Sequence, residues 1–267
     1  MSSRDESYNI FLCNTDESAA RQDEVLGGLI GRVDALILVP ATESAAVPRA
    51  LAAMGVPVVL LDRELEEHDL FDSVLVDNEG GAEAACRYLV QLGHRRIGLI
   101  SGPLTATPGR TRHESFLRTL REEQVDVRPE YIHVGDFREL SGYVAAKSLV
   151  SLSEPPTAVF VANNLMAIGA LKALRESKVR VPEDMSFVSF DELDIGDLLE
   201  PRLTTVSGRS VEQGALAARL LSERLRGEAP VTVRRCVLEA QLSVRESCCP
   251  PLSVINEGGS NARFDRR

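Results

Sequence analysis

The chain has 267 residues, 44% of them hydrophobic and 4% aromatic, and a formal net charge of −10. That length and apolar share suffice for a full core, near the size at which one core divides into two; no apolar run approaches the roughly 18 residues of a membrane span, and the excess of acid argues against a phosphate-neutralising surface. Arg4, Asp5 and Glu6 at the start break the basic-then-apolar order of an export signal, and the five cysteines (Cys13, Cys86, Cys236, Cys248, Cys249) are odd in number without metal-ligand spacing, which reads as reduced thiols in a cytoplasmic protein.

In chain order, residues 9–13, 35–39, 58–61 and 74–76 are short apolar runs of the kind that form parallel strands covered on both faces. Residues 17–31 and 45–54 read as the helices between them. After 74–76, Asn78 is placed to cap a helix, with Glu79 near its positive end and Gly93 as a left-handed stop. Within that helix Ala82, Ala85, Cys86 and Leu89 recur at helical spacing and turn one stripe toward a sheet. A second series comes next, with strands at 97–101, 131–134, 159–161 and 187–190 and helices at 111–123, 139–152, 165–177 and 210–226. Residues 248–267, with Pro250, Pro251, Gly258 and Gly259 but no periodicity, read as a disordered tail. Regular alternation of strand and helix predicts an α/β protein of two stacked lobes.

The wording of these segments says more than their periodicity. Val76-Asp77-Asn78-Glu79-Gly80-Gly81, followed by Leu92-Gly93-His94-Arg95-Arg96-Ile97-Gly98-Leu99-Ile100-Ser101-Gly102, closely resembles the effector-binding core of the lactose-repressor (LacI/GalR) family of bacterial transcription regulators. Further landmarks run in the same order. They are Arg112 to Phe116, Pro156 to Asn164, Val181 to Asp191, and Pro201-Arg202-Leu203-Thr204-Thr205-Val206. The resemblance implies a two-lobed, type I periplasmic-binding-protein-like fold, each lobe a parallel sheet flanked by helices. It assigns residues 8–76 and 207–228 to an incomplete N-terminal lobe, and 77–206 and 229–247 to a C-terminal lobe. The chain is then expected to cross between lobes after Val76, near Val206, and within 226–231, which makes a hinge about a cleft.

Ligands in open α/β sheets bind beyond the carboxyl ends of the strands. By resemblance, the effector-binding residues there are Arg112, Phe137, Asn163 and Asp191, faced by Asp62 and Arg63 from the other lobe. A carboxylate accepts from vicinal hydroxyls, an amide donates and accepts, a guanidinium offers a rigid fork of donors, and Phe137 lies against an apolar face; together they suit a sugar or polyol. Each has a plainer structural reading as well. Asp191 can cap a turn and Asn163 the helix after it, Arg112 can pair with Glu114, Phe137 can be core, and Asp62 with Arg63 can be a solvated surface pair. His94 reads as a helix-terminus residue, and His68, His113 and His133 carry no motif.

The implied function is the effector-sensing region of a repressor. The implied partners are a small-molecule effector, a second copy joined through the N-terminal lobe, and DNA reached only through a head domain outside this chain. Neither a cofactor nor a membrane is implied. A solute-binding protein of a sugar transporter, its signal peptide missing, is the alternative. No Ser-His-Asp order, metal cluster or phosphate loop points to an enzyme, since Gly80-Gly81 lies in a helix start without G-x-G-x-x-G spacing. Departures from the family pattern are Ser115 in a glycine place, Asn164 where aspartate is usual, and Gly208 where a longer polar side chain often reaches the ligand. The family's helix-turn-helix, hinge helix and first strand and helix have no counterpart before residue 8, which is expected to reflect a start codon placed too late, a decayed gene, or closure by another chain.

Overall fold

The computed structural model describes residues 8–66, 68–193 and 196–252. Two sheets organise them. The first has the order β1 (Leu36–Leu38), β2 (Val58–Leu61), β3 (Asp72–Val76), β9 (Arg235–Leu238), every pair parallel. The second has six strands in the order β10 (Gln241–Ser243), β8 (Thr204–Ser207), β7 (Ser186–Phe190), β6 (Ala158–Val161), β4 (Ile97–Ser101), β5 (Ile132–Val134), parallel except for β10 against β8. β3, β4, β6 and β7 are buried at every position, as runs without alternation require when helices cover both faces.

Helices α1 (Ala19–Leu29), α2 (Ala46–Ala53) and α7 (Ser210–Leu225) serve the first sheet. Leu26 and Leu51 pack with Leu38, Val58 and Leu60 on one side, while Ala217 and Leu220 of α7 meet Val59 and Val74 on the other. Helices α3 (Asn78–Gln91), α4 (Thr107–Glu122), α5 (Glu139–Val150) and α6 (Asn164–Glu176) serve the second. Its core is the larger, with Phe116 stacked on Phe160 at 4.9 Å and Phe190 edge-on to Phe160 at 6.5 Å. α5 and α6 touch backbone to backbone: a Cβ on Gly169 would lie 1.9 Å from the Glu139 carbonyl oxygen, so only glycine fits there.

The chain passes between sheets after Val76, after Ser207 and after Leu238. The third crossing corrects the sequence reading: residues 235–238 pair with β3 in the first sheet, so the chain changes lobe at 239–240 rather than within 226–231, and 229–247 do not belong together. Charge explains the placement, because Arg234 and Arg224 both converge on the buried Asp72 of β3 and draw this strand to it.

Other expectations also change. Residues 9–13 form no strand. Ile10, Phe11 and Leu12 are 89, 72 and 95% exposed, since no neighbouring strand among the described residues offers them a ladder, and β1 is the sheet edge. The cap of α3 is Asp77, whose carboxylate accepts from Gly80 N at 2.9 Å, while Asn78 turns inward. α4 begins at Thr107, four residues early, with Pro108 in a first turn where a missing N–H is harmless. The tail is ordered at its start: Ser247 O accepts from Phe187 N, and Cys249 N donates to Ser186 Oγ at 3.0 Å. Residues 253–267, the rest of that expected tail, lie outside the described residues. His94 is buried beneath it, within hydrogen-bonding distance of Thr157 Oγ1, Ser186 Oγ and the Cys249 carbonyl, and burial pushes its imidazole down to about 4.

Candidate functional site

Five of the six candidate residues follow the end of a parallel strand, and the sixth comes from a helix. β2 runs into Asp62 and Arg63, β6 into Asn163, β7 into Asp191, and β5 into the turn that carries Phe137; Arg112 comes from α4, about one and a half turns inside its N-terminus. Asp62, Phe137 and Asp191 all have φ of 65°. A left-handed backbone is uncommon outside glycine and an outlier for a bulky aromatic, and such strain collects at binding sites.

Arg112 is the centre of the second-sheet wall. Its guanidinium lies 3.5 Å from the Phe190 ring centroid, with Nε donating to Asn78 Oδ1 at 2.7 Å, Nη1 to the Ala162 carbonyl at 2.5 Å, and Nη1 3.6 Å from Asp191 Oδ2. Pairing with Glu114 is not what forms. Burial pushes the guanidinium down from its ordinary value, and Asp191 and Asp62 oppose that. Burial likewise raises the Asp191 carboxyl; Arg112 pulls it back, and Asp62 adds to the rise. These groups therefore form one electrostatic unit spanning both walls.

Phe137 is buried, packed on Gly102 so closely that a Cβ there would clash with its ring, and it belongs to the core cluster as well as to the crevice. Over its ring, 5.4 Å from the centroid, lies the Arg63 guanidinium. Arg63 is held by Glu17 through two bonds of 2.6 and 2.9 Å and by the Pro40 carbonyl at 3.0 Å, while its buried Nε has no partner among the described residues. It is thus a paired residue inside the crevice and not a solvated surface ion. Asn163 has both amide groups engaged. Its Oδ1 caps α6 at Met166 N and its Nδ2 donates to the Phe137 carbonyl, each at 3.0 Å, so it braces Phe137.

The structure adds partners that the sequence hid. Asn78 reads as a cap but receives Arg112; Glu17, 46 residues from Arg63, carries no motif; Gln213 donates to the Gly208 carbonyl at 2.5 Å, and a Cβ on Gly208 would come within 2.9 Å of Asp191 Oδ1. The missing side chain at Gly208 is therefore what leaves Asp191 its space. Between residues 40–43, 63–64 and 105–107 the walls meet with no room for a water molecule. Among the described residues no group of His, Cys, Asp and Glu is arranged to hold a metal, and no helix is long and apolar enough to cross a membrane.

Parallel sheets joined by three crossing segments, with charged and aromatic groups at facing strand ends, define a bilobal ligand-binding domain. The periplasmic binding protein-like domain family matches residues 86–248. The chain is 33% identical over 224 residues to the HTH-type transcriptional repressor PurR of Photorhabdus laumondii, an alignment that covers 82% of this chain and 64% of that protein. The structure of the transcriptional regulator CelR in complex with cellobiose superposes with a TM-score of 0.78 at 34% identity, covering 86% of this chain and 71% of that one. A LacI family transcriptional regulator from Mycobacterium smegmatis gives 0.75 at 30%, with 86 and 85% covered. The chain belongs to the LacI family, in its periplasmic binding protein-like, effector-binding region. It spans about 64% of the length of the PurR repressors of Photorhabdus laumondii and Serratia proteamaculans.

Proposed function

We propose that this chain is the effector-sensing part of a cytoplasmic LacI-type repressor, binding a hydroxyl-rich small molecule between its lobes and passing the change of shape to a DNA-binding head. One observation carries the reading. Arg112 and Asp191 stand 3.6 Å apart in one wall with Asp62 close enough to act on both, while Arg63, paired with Glu17, lies over Phe137. Cations already matched by carboxylates leave no surplus positive charge for a phosphate and suit an uncharged ligand rich in donors and acceptors. The relative CelR has been captured with cellobiose, which supports a sugar here. The lobes are residues 8–76 with 210–238, and 77–207 with 241–251. Closure about the three crossing segments is the signal, provided that the ligand favours one lobe arrangement over the other, and pairing of two chains through the N-terminal lobe converts it into a spacing of DNA-binding heads.

A thermal-shift screen of sugars, cellobiose and D-ribose among them, tests this directly. A ligand present at a hundred times its Kd stabilises the native state by about 2.7 kcal/mol, a shift of several degrees for a domain of this size. A sugar hit that Asp191→Ala weakens at least tenfold supports the reading, and a hit indifferent to that substitution contradicts it.

A further inference from the structure

Side chains on the wall built from the first sheet reach across the crevice to the wall built from the second. Glu43, between β1 and α2, accepts from Thr107 Oγ1 at 3.1 Å and from Arg110 Nη2 at 2.8 Å. Arg138, at the start of α5, donates to the Asp16 carbonyl, and Arg63 lies over Phe137.

The Glu43 contact is the one that both sides are built to receive. The cap position of α4 is Ala106, which has no side chain to accept from the first turn. A carboxylate arriving there from the other lobe places negative charge at the positive end of the helix. Both partners are held before they meet: the Glu43 carbonyl accepts from Glu66 N at 2.8 Å, and Arg110 Nη1 donates to the Leu104 carbonyl at 3.0 Å. The helix that Glu43 meets carries Arg112, two residues beyond Arg110. Opening the crevice strips the helix start of this acid and parts the Glu43–Arg110 pair in one movement.

We infer that Glu43 is a latch, a positioning residue whose contact with Thr107 and Arg110 sets the ratio of closed to open molecules and so the fraction accessible to ligand. This rests on the proposed function only for what the opening serves. The latch itself is a statement about the unliganded chain, and its test contains no ligand.

Small-angle X-ray scattering on the unliganded wild type, Glu43→Ala, Glu43→Arg and the exchange Glu43→Arg with Arg110→Glu makes the measurement. Glu43→Ala lowers the closed-to-open ratio about three- to tenfold, Glu43→Arg lowers it further by setting two cations together, and both enlarge the radius of gyration; the exchange returns the wild-type profile. Profiles of Glu43→Ala that superimpose on wild type overturn the inference, as does an exchange variant that folds by circular dichroism yet stays open. A purely structural role for Glu43 has no reason to be rescued by reversing the pair.

Discussion

Arg112 shows how a single residue serves stability and recognition together. Removing it leaves Asn78 Oδ1 and the Ala162 carbonyl without their donor and Asp191 without its counter-charge, inside a site where Arg112 itself is only 3% exposed. Arg112→Ala is expected to lower the stability measured by urea unfolding by about 3–5 kcal/mol. Arg112→Lys keeps the charge and loses the fork, so it weakens ligand at least tenfold with a smaller loss of stability. His94 gives a second prediction at this scale. Its folded pKa of about 4 lies below the ordinary 6.5, so the native state resists a proton that the unfolded chain accepts. Stability is therefore full above pH 6.5 and falls as pH drops toward 4, by about 1.4 kcal/mol per unit. His113 and His133, also lowered by burial, act in the same direction. In His94→Gln the pH dependence of urea midpoints between 6.5 and 4 flattens; an unchanged slope removes His94 as the cause.

Elements are joined by charges that the sequence does not advertise. Asp72 on β3 has no solvent exposure and takes bonds from Arg224 of α7 and Arg234 before β9, which together hold its carboxyl below the usual range against the opposing effect of burial. Asp72→Ala takes the shared carboxylate from two arginines that are about a fifth exposed, leaving Arg234 to Glu223 and Arg224 to the Pro230 and Thr232 carbonyls, and a loss of about 2 kcal/mol in thermal unfolding is expected, with Asp72→Asn intermediate. The contribution of this clasp is present above the unfolded carboxylate pKa and is lost as pH falls below about 3.8. Strand and helix identities were legible because continuous apolar runs and helical stripes report burial, and β2 and β4 fall on the residues those runs mark. Residues 9–13 show the limit of that reasoning: an apolar run states what a strand can bury, not whether a neighbour is present to pair with it. Polar substitutions at Ile10, Phe11 and Leu12 accordingly change stability by less than about 0.5 kcal/mol and reduce self-association in light scattering.

At the scale of the whole molecule, family wording and strand ends named the candidate residues, of which the structure sets Arg112 beside Asp191 and Arg63 over Phe137. The pairings within the crevice walls stayed hidden, because Arg63 with Glu17 and Arg112 with Asn78 lie 46 and 34 residues apart, Glu17 carries no motif, and nothing in the motif around Asn78 marks it as the acceptor for Arg112. The sequence offers Asn163 as a cap for α6 but holds no hint that it also braces Phe137, or that the walls meet through Glu43. The central claim is that a hydroxyl-rich molecule enters when the crevice opens, settles between Arg112, Asp191 and Phe137, and is held there as the lobes close upon it. A crystal structure of the chain with the sugar that most raises its melting temperature tests that claim most directly. The account predicts the sugar between the two sheets, hydrogen-bonded to Arg112 and Asp191 with a face against Phe137; a sugar bound elsewhere, over a crevice still closed on Arg63 and Glu43, would contradict it.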